Sequence, residues 1–293
     1  MSVSQYFQDF ANAITISSTK RDSIATRSAR LTKQLNTDFR NTTSDSANRF
    51  YAGSYGRNTA IPTVSDIDMI FVLPYSVYTQ YDAYTSNGQS ALLQAVRSSI
   101  NTTYSNSAIV ADGQIVAIKF LDGITYEILP AFLNSDGSYT YADSNNGGSW
   151  KTCKPKHEID AFATRNSQCN LNLVMLGRMV RAWRDHNAVS MSGMLADTLA
   201  YQFIVNWTYR DKSYLYYDYL TRDFFNFLAN LSEDQLYWLA PGSGSWVWRD
   251  DKFQSKARQA EARALEAIKH LEAQELWSAR QKFRTIYGND FPS

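Results

Sequence analysis

Two aspartates one residue apart open an apolar run in "SDIDMIFVLP", where Asp66 and Asp68 lead into Met69 to Leu73. On a strand, residues i and i+2 point to the same face, so both carboxylates project together. Paired carboxylates repel unless a positive charge lies between them. The simplest resident is a divalent metal, and hard oxygen ligands suit Mg²⁺ bound together with substrate phosphates. Upstream, Gly53-Ser54 ends another short apolar segment. A glycine there lets the backbone bend close to a ligand, and the serine hydroxyl and adjacent N–H groups can hold phosphate oxygens. Two metals arranged for in-line transfer need a bridging set of carboxylates, so a third acid is expected on a neighbouring strand. "TYEILPAF" offers Glu127, which shares a strand face with Thr125 and Leu129 and stands among apolar neighbours. Each signal alone has a plain alternative: a solvated strand start, an ordinary turn, an edge acid satisfied by backbone N–H groups.

Those residues need a scaffold. Tyr6, Phe7, Phe10, Ala11 and Ile14 make residues 4–14 a short amphipathic helix, and Ile24, Leu31, Leu35 and Phe39 predict a second from Thr19 to Arg40, capped by Ser18 or Thr19. A strand at Phe50 and Tyr51, the Gly-Ser turn and a strand from Ile67 to Leu73 follow. A helix then buries Leu92, Leu93, Val96 and Ile100. Residues 108–133 read as a strand meander, with hairpin turns at Asp112-Gly113 and Asp122-Gly123. "NSDGSYTYADSNNGGSW" reads as an exposed loop marking the lobe boundary. Beyond it the pattern is helical: Leu171, Met175, Met179 and Trp183 share a face, "SYLYYDYLTRDFFNFL" reads as core, and one long solvated amphipathic helix is expected from Lys252 to Tyr287. The expectation is an α/β lobe over residues 1–150, with the N-terminal helices, and an α-helical lobe over 151–293 that completes the active-site cleft.

Composition narrows the function. A net charge of +1, from 29 basic and 28 acidic residues, rules out a bulk field for polyanions and leaves room only for a local basic cleft. Cys153 and Cys169 form no CxxC pair and read as small hydrophobes, and His157 reads as a structural or surface histidine. The N-terminus carries no signal-peptide pattern and no window has the apolar length of a membrane span, so the expected location is the cytoplasm, with no membrane partner.

GS-x-x-R, then D-I-D opening an apolar strand, then an acid before "ILPAF" resembles the polymerase β-like nucleotidyltransferase superfamily, and more closely the bacterial CD-NTases, which are similar to cyclic GMP–AMP synthase. "WKTCKPKHEIDAF", "RMVRAWRDHN", "LADTLAYQFI" and "YYDYLTRDFFNFL" look like segments of that family's helical lobe. The resemblance implies an α+β fold: a polymerase β-like nucleotidyltransferase lobe with a mixed sheet plus an α-helical second lobe. It implies that Gly53 and Ser54 hold the donor triphosphate and that Asp66, Asp68 and Glu127 are catalytic metal ligands, Glu127 standing where Asp is commoner. It places Arg181 on a helix that reaches the phosphates, Ser192 near a nucleotide-binding Ser-Tyr element, and Trp150, Lys151 and Thr152 on the acceptor side. Arg57 either reaches a phosphate or pairs with an acid of its own lobe.

The reaction implied is attack of a 3′- or 2′-hydroxyl on an α-phosphorus with loss of pyrophosphate, assisted by two Mg²⁺ ions, Mn²⁺ being the alternative. The substrates would be NTPs, ATP or GTP first and UTP or CTP otherwise. The product would be a cyclic di- or trinucleotide second messenger of antiphage (CBASS-type) signalling, sensed by a downstream effector. No obligatory nucleic-acid activator is expected, and a regulatory protein partner is compatible with the family. The competing readings are a transferase that modifies an RNA end, a protein or a small molecule, and an inactive nucleotide-binding module.

Overall fold

The computed structural model of the chain describes residues 2–293 and divides it into two compact units. A sheet unit comprises Ile16–Gly56 and Thr63–Lys156; a helical unit comprises residues 2–15, Arg57–Pro62 and His157–Ser293. The division therefore differs from the expected single cut at 150. The N-terminal helix and a six-residue stretch, Arg57–Pro62, belong with the helical unit, and the sheet unit runs on to Lys156.

In chain order, α1 (Val3–Ala13) is capped by Ser2 and buries Tyr6, Phe7, Phe10 and Ala11 on one stripe. α2 (Ser18–Arg40) begins one residue earlier than its expected cap allows, because the Ser17 hydroxyl accepts the Lys20 N–H. β1 (Arg49–Tyr51) leads into a single short turn, α3 (Gly53–Gly56), and then β2 (Asp66–Val72), which includes both aspartates. α4 (Tyr75–Asp82) and α5 (Gly88–Thr103) precede the expected meander, β3 (Ala108–Asp112), β4 (Ile115–Lys119) and β5 (Thr125–Leu133). The stretch expected as an exposed loop instead pairs as β6 (Tyr139–Asp143) and β7 (Ser149–Cys153). Its polar composition hides the strands. The glycines serve the turn between them, Gly147 and Gly148 standing at φ +89° and +94°.

The sheet runs β1-β2-β5-β4-β3, with β6 added to β5 and β7 to β6. Among the described residues, only the β2–β5 pairing is parallel; β1–β2, β3–β4, β4–β5, β5–β6 and β6–β7 are antiparallel. Alternation gives its central strands two characters. Ile67, Met69 and Phe71 of β2, with Tyr126 and Ile128 of β5, are fully buried in one core with Ile24, Leu31 and Leu35 of α2 and Leu92, Val96 and Ile100 of α5. The opposite face starts with Asp66, Asp68 and Glu127, and only further along turns apolar, where Ile70 and Ala131 meet Ala52 and Tyr139.

The helical unit continues with α6 (Pro155–Gln168), α7 (Asn172–His186), α8 (Gly193–Ile204), α9 (Tyr217–Ala229), a two-stranded ribbon β8 (Tyr237–Leu239) and β9 (Trp246–Trp248), α10 (Gln254–Glu272) and α11 (Leu276–Tyr287). The single helix expected over Lys252–Tyr287 is two helices packed against each other, the chain reversing through Gln274 at φ +61°. Small side chains make the packing close: Ala257, Ala260, Ala264 and Ala267 form the buried side of α10. Leu171, expected on the inner face of α7, stands exposed ahead of the helix in the left-handed region, and the buried positions are Leu173, Leu176, Met179, Val180 and Trp183. The aromatic run does supply core, with Tyr217, Leu220, Phe224, Phe225 and Leu228 buried on α9. Cys153 and Cys169 are free thiols, Cys169 buried. No helix among the described residues is long and apolar enough to cross a membrane.

Candidate active site

Within the sheet unit, parallel register sets Asp68 directly beside Glu127 and Asp66 beside Thr125. Neighbouring strands lie about 4.8 Å apart, so the three acids occupy one end of one sheet face. Their mutual repulsion is visible in Glu127. Burial pushes its carboxyl above the ordinary glutamate range, and the negative charges of Asp68 and then Asp66 push it further. Asp66 is exposed and accepts the Ser65 hydroxyl at 2.9 Å.

The Gly-Ser turn is joined to this face by backbone and by shape. The Ala52 N–H donates to the Asp68 carbonyl at 2.9 Å, extending the β1–β2 pairing up to the turn. Gly53 then stands at φ +56°, and a Cβ built on it would lie 1.7 Å from Asp68 Oδ2 and 2.7 Å from Asp68 Cγ. Glycine is required there twice, once for the left-handed backbone and once because the carboxylate occupies the space a side chain would take. Ser54 follows in the short turn, half-buried.

Among the described residues, no group of three His, Cys, Asp or Glu side chains is drawn together into a closed metal site. Asp66, Asp68 and Glu127 are instead associated by strand register and by the charge each places on Glu127. Their donor set, carboxylate oxygen throughout, suits a hard divalent cation, and such an ion would relieve the crowding that raises Glu127.

Arg57 and Arg181 belong to the helical unit, where both are buried against Asp197, itself fully buried. Arg181 clasps it with two bonds, Nη1 to Oδ1 at 2.5 Å and Nη2 to Oδ2 at 2.8 Å; Arg57 Nε reaches Oδ2 at 2.9 Å. The Thr59 hydroxyl donates to the same oxygen at 2.9 Å. Burial alone would raise the Asp197 carboxyl; the charges of Arg181 and Arg57 outweigh it and hold the group below the usual range. Glu158, 3.6 Å from Arg57 Nη1 and accepting the Ser243 hydroxyl at 2.7 Å, completes the group. Arg57 thus pairs with acids of the stretch expected as the second lobe, not of its own, and Arg181 clasps the same Asp197 carboxylate.

Ser192 is the N-cap of α8, its hydroxyl accepting the Leu195 N–H at 3.1 Å while its own N–H donates to Asp250. Trp150 and Lys151 of β7 are engaged with acids of the sheet unit, the indole N–H with Asp82 at 2.8 Å and the ammonium with Asp143. The sequence reading missed Asp197. Its signal is an acid among Leu195, Ala196, Leu199 and Ala200, all buried, where an unpaired carboxylate is too costly to leave without a cation.

Solved structures share this fold along nearly the whole chain. CdnC of E. coli MS115-1, in complex with HORMA-deltaN, is 14% identical with a TM-score of 0.70, over 99% of this chain and 98% of that one. The CD-NTase CdnG of Bradyrhizobium diazoefficiens, in complex with GTP, is 11% identical with a TM-score of 0.64, over 97% and 94%. The CdnE cyclic dinucleotide synthase of Elizabethkingia meningoseptica is 13% identical with a TM-score of 0.60, over 98% and 99%. At these identities the likeness is one of fold, the polymerase β-like architecture. No curated protein sequence matches the chain. The family model that does match covers residues 1–166, more than half of the chain, and describes the Second Messenger Oligonucleotide or Dinucleotide Synthetase domain, SMODS; the chain belongs to that family of nucleotidyltransferases.

Proposed function

We propose that this nucleotidyltransferase joins NTPs into a cyclic di- or trinucleotide, and that Asp66, Asp68, Glu127, Gly53 and Ser54 carry the reaction. The observation that carries the reading is the parallel β2–β5 pair, which sets Asp68 beside Glu127 with the α-carbon of Gly53 against the Asp68 carboxylate. Gly53 and Ser54 hold the donor triphosphate, with the N–H groups of the turn and the Ser54 hydroxyl turned to phosphate oxygens. The three carboxylates hold two Mg²⁺ ions, with Mn²⁺ the substitute. When bound, those ions lower the pKa of the acceptor hydroxyl and neutralise charge on the departing pyrophosphate. Asp68 and Glu127, side by side, orient the acceptor 3′- or 2′-hydroxyl, and Asp66 serves the donor side. Pyrophosphate leaves, and a second transfer within the linear intermediate closes the ring. Arg57, Arg181 and Ser192 are assigned to the frame of the helical unit rather than to the phosphates, because their polar atoms are engaged with Asp197 and with the start of α8.

ATP and GTP are the first substrates to test, since solved relatives carry them. The setting proposed is cytoplasmic antiphage signalling of the CBASS type, with an effector that senses the product. A HORMA-type regulatory partner, as in the E. coli CdnC complex, is part of the proposal. A net charge of +1 supports activity without a nucleic-acid activator.

The test is mass-resolved product analysis with each NTP alone and with all four, in Mg²⁺ and in Mn²⁺, beside the double variant Asp66→Asn, Asp68→Asn. A phosphatase-resistant product made by the native protein and absent from the variant is expected. A linear or acceptor-linked product would replace cyclisation with end modification, and equal turnover by the variant would remove the acids from the chemistry.

A further inference from the structure

The helical unit carries a cavity of about 360 Å³ that the proposed centre does not use. Every residue lining it belongs to that one unit, Asn58 through the Arg57–Pro62 stretch. Three of its asparagines are each fixed by one half of the amide. Asn58 Oδ1 accepts Arg178 Nη2 at 2.9 Å, while Arg178 Nε donates to the Asn58 backbone carbonyl at 3.1 Å. Asn166 Oδ1 accepts the Val174 N–H at 2.9 Å, and Asn170 Nδ2 donates to the Lys212 carbonyl at 3.1 Å. A guanidinium and a backbone N–H only donate, and a carbonyl only accepts, so these partners decide which way each amide is turned. Two donors, Asn58 Nδ2 and Asn166 Nδ2, and one acceptor, Asn170 Oδ1, are left over; among the described residues no hydrogen bond takes them.

The rest of the lining is largely apolar or aromatic, and its aromatic side is tied down. Leu171, at φ +63° and 64% exposed, stands on the cavity with Met175. The Tyr214 ring meets buried Tyr217 edge-on, centres 5.0 Å apart, and the Tyr217 hydroxyl donates to Asn172 Oδ1 at 2.7 Å. Asn172 Nδ2 in turn donates to the carbonyls of Arg210 and Lys212, at 2.8 Å each, which fastens the chain leading to Tyr214 onto the start of α7. Among the described residues no carboxylate lines the cavity, and the Arg178 guanidinium is turned onto Asn58 and Thr15. Apolar walls with a few pre-oriented amide groups suit an uncharged planar heterocycle whose edge mixes acceptors and donors. We infer that this cavity is a second ligand site, built by the helical unit alone, and that it takes a nucleobase. The ring lies against Leu171, Met175 and Tyr214, two of its acceptors meet Asn58 and Asn166, and a ring or amino N–H meets Asn170. The inference stands apart from the reading of Asp66, Asp68 and Glu127.

The experiment is equilibrium titration of the full chain with adenosine, guanosine and uridine, which bring a base and a ribose but no phosphate. AMP, GMP and UMP run beside them. Asn166→Asp is the first variant: the new carboxylate still accepts the Val174 N–H, while the donor half becomes an acceptor. Asn58→Asp does the same against Arg178 Nη2 and serves if the first does not fold. Both are read with the uncharged nucleosides, so the added negative charge has no phosphate to repel. At least one nucleoside should bind the native chain. The Asn166→Asp protein should keep its unfolding temperature yet bind that nucleoside about tenfold more weakly, because a hydrogen bond is replaced by two facing acceptors. The double variant Asp66→Asn, Asp68→Asn should bind it as the native chain does. Whichever of nucleoside and monophosphate binds more tightly names the source of the base, and both results support the inference when the Asn166→Asp loss accompanies them. Native affinity in both folded Asp variants overturns it. So does nucleoside binding that is lost with Asp66 and Asp68, or a native chain that binds none of the six compounds at about 1 mM.

Discussion

Gly53→Ala is the sharpest single test of the proposed centre. The added methyl group must sit at φ +56°, a left-handed backbone that costs a non-glycine residue about 1–2 kcal/mol. It also arrives 1.7 Å from Asp68 Oδ2, closer than any Cβ contact can be, so the carboxylate must retreat by more than an ångström. Driving that side chain off its rotamer adds about 0.5–1.5 kcal/mol. A total near 2–3 kcal/mol should lower the unfolding temperature by about 5–10 °C. Turnover should fall much further, about 100-fold, because misplacing a reacting or ion-holding group by an ångström has that effect. Gly123→Ala is the matched control: it stands at φ +85°, and a Cβ there meets nothing within 4 Å, so it carries backbone strain alone. It should show a smaller thermal loss and native turnover. The assays are thermal unfolding and pyrophosphate release at saturating NTP. If folded Gly53→Ala releases pyrophosphate as fast as Gly123→Ala, the reasoning that joins the turn to Asp68 is wrong.

Other perturbations separate charge from packing. Glu127→Gln relieves the crowding with Asp68 and Asp66, so the protein should unfold no earlier than the native chain while NTP turnover drops by at least about 10²-fold; earlier unfolding in a scan would contradict the repulsion. Arg181→Lys removes the fork that clasps Asp197 and should cost about 2–4 kcal/mol in denaturant unfolding, and a loss below 1 kcal/mol would mean the fork does not neutralise that acid. Asp218 is buried at the start of α9, and burial pushes its carboxyl up to about 6. The folded protein therefore keeps a proton that the unfolded chain has already lost, so this group's contribution is complete below about pH 4 and is lost as pH rises through 6. Asp218→Asn should flatten that slope and raise stability at pH 7.5 by about 2–3 kcal/mol, and unchanged unfolding curves between pH 4.5 and 8 would count against it.

The arrangement of acids in the sheet unit is legible in the sequence because it is local. Strand alternation alone puts Asp66 and Asp68 on one face, and two Asp-Gly turns mark the hairpins that bring Glu127 alongside. The helical unit is less legible because its decisive contacts are distant. Arg57 and Arg181 announce themselves as cations, but nothing near either names Asp197, which lies 140 residues from one and 16 from the other. The transfer of Arg57–Pro62 to the helical unit is invisible for the same reason, its six residues having no composition of their own. β6 and β7 are missed because pairing with β5 organises a stretch whose glycines, serines and asparagines speak for a loop. The break between α10 and α11 has neither Gly nor Pro to mark it, since Gln274 takes the left-handed backbone.

The seating of α1 has a consequence for how the protein is made. Phe7 packs edge-on against Phe283 and Phe291, and Phe10 lies tilted against Tyr287 and Phe291, with ring centres 4.6 to 5.2 Å apart. A ribosome delivers α1 first and these partners hundreds of residues afterwards, whereas the sheet unit has all seven of its strands once residue 156 has emerged. Domains fold as units during synthesis. The acidic face of the sheet can thus be complete while two phenylalanines near the start of the chain still wait in water, so a stalled or shortened nascent chain would present a formed sheet beside a greasy, unclosed helix. That species is a natural target for chaperones and proteases, and in a vectorial reading the helical unit, not the sheet, sets the moment at which the protein becomes safe from them.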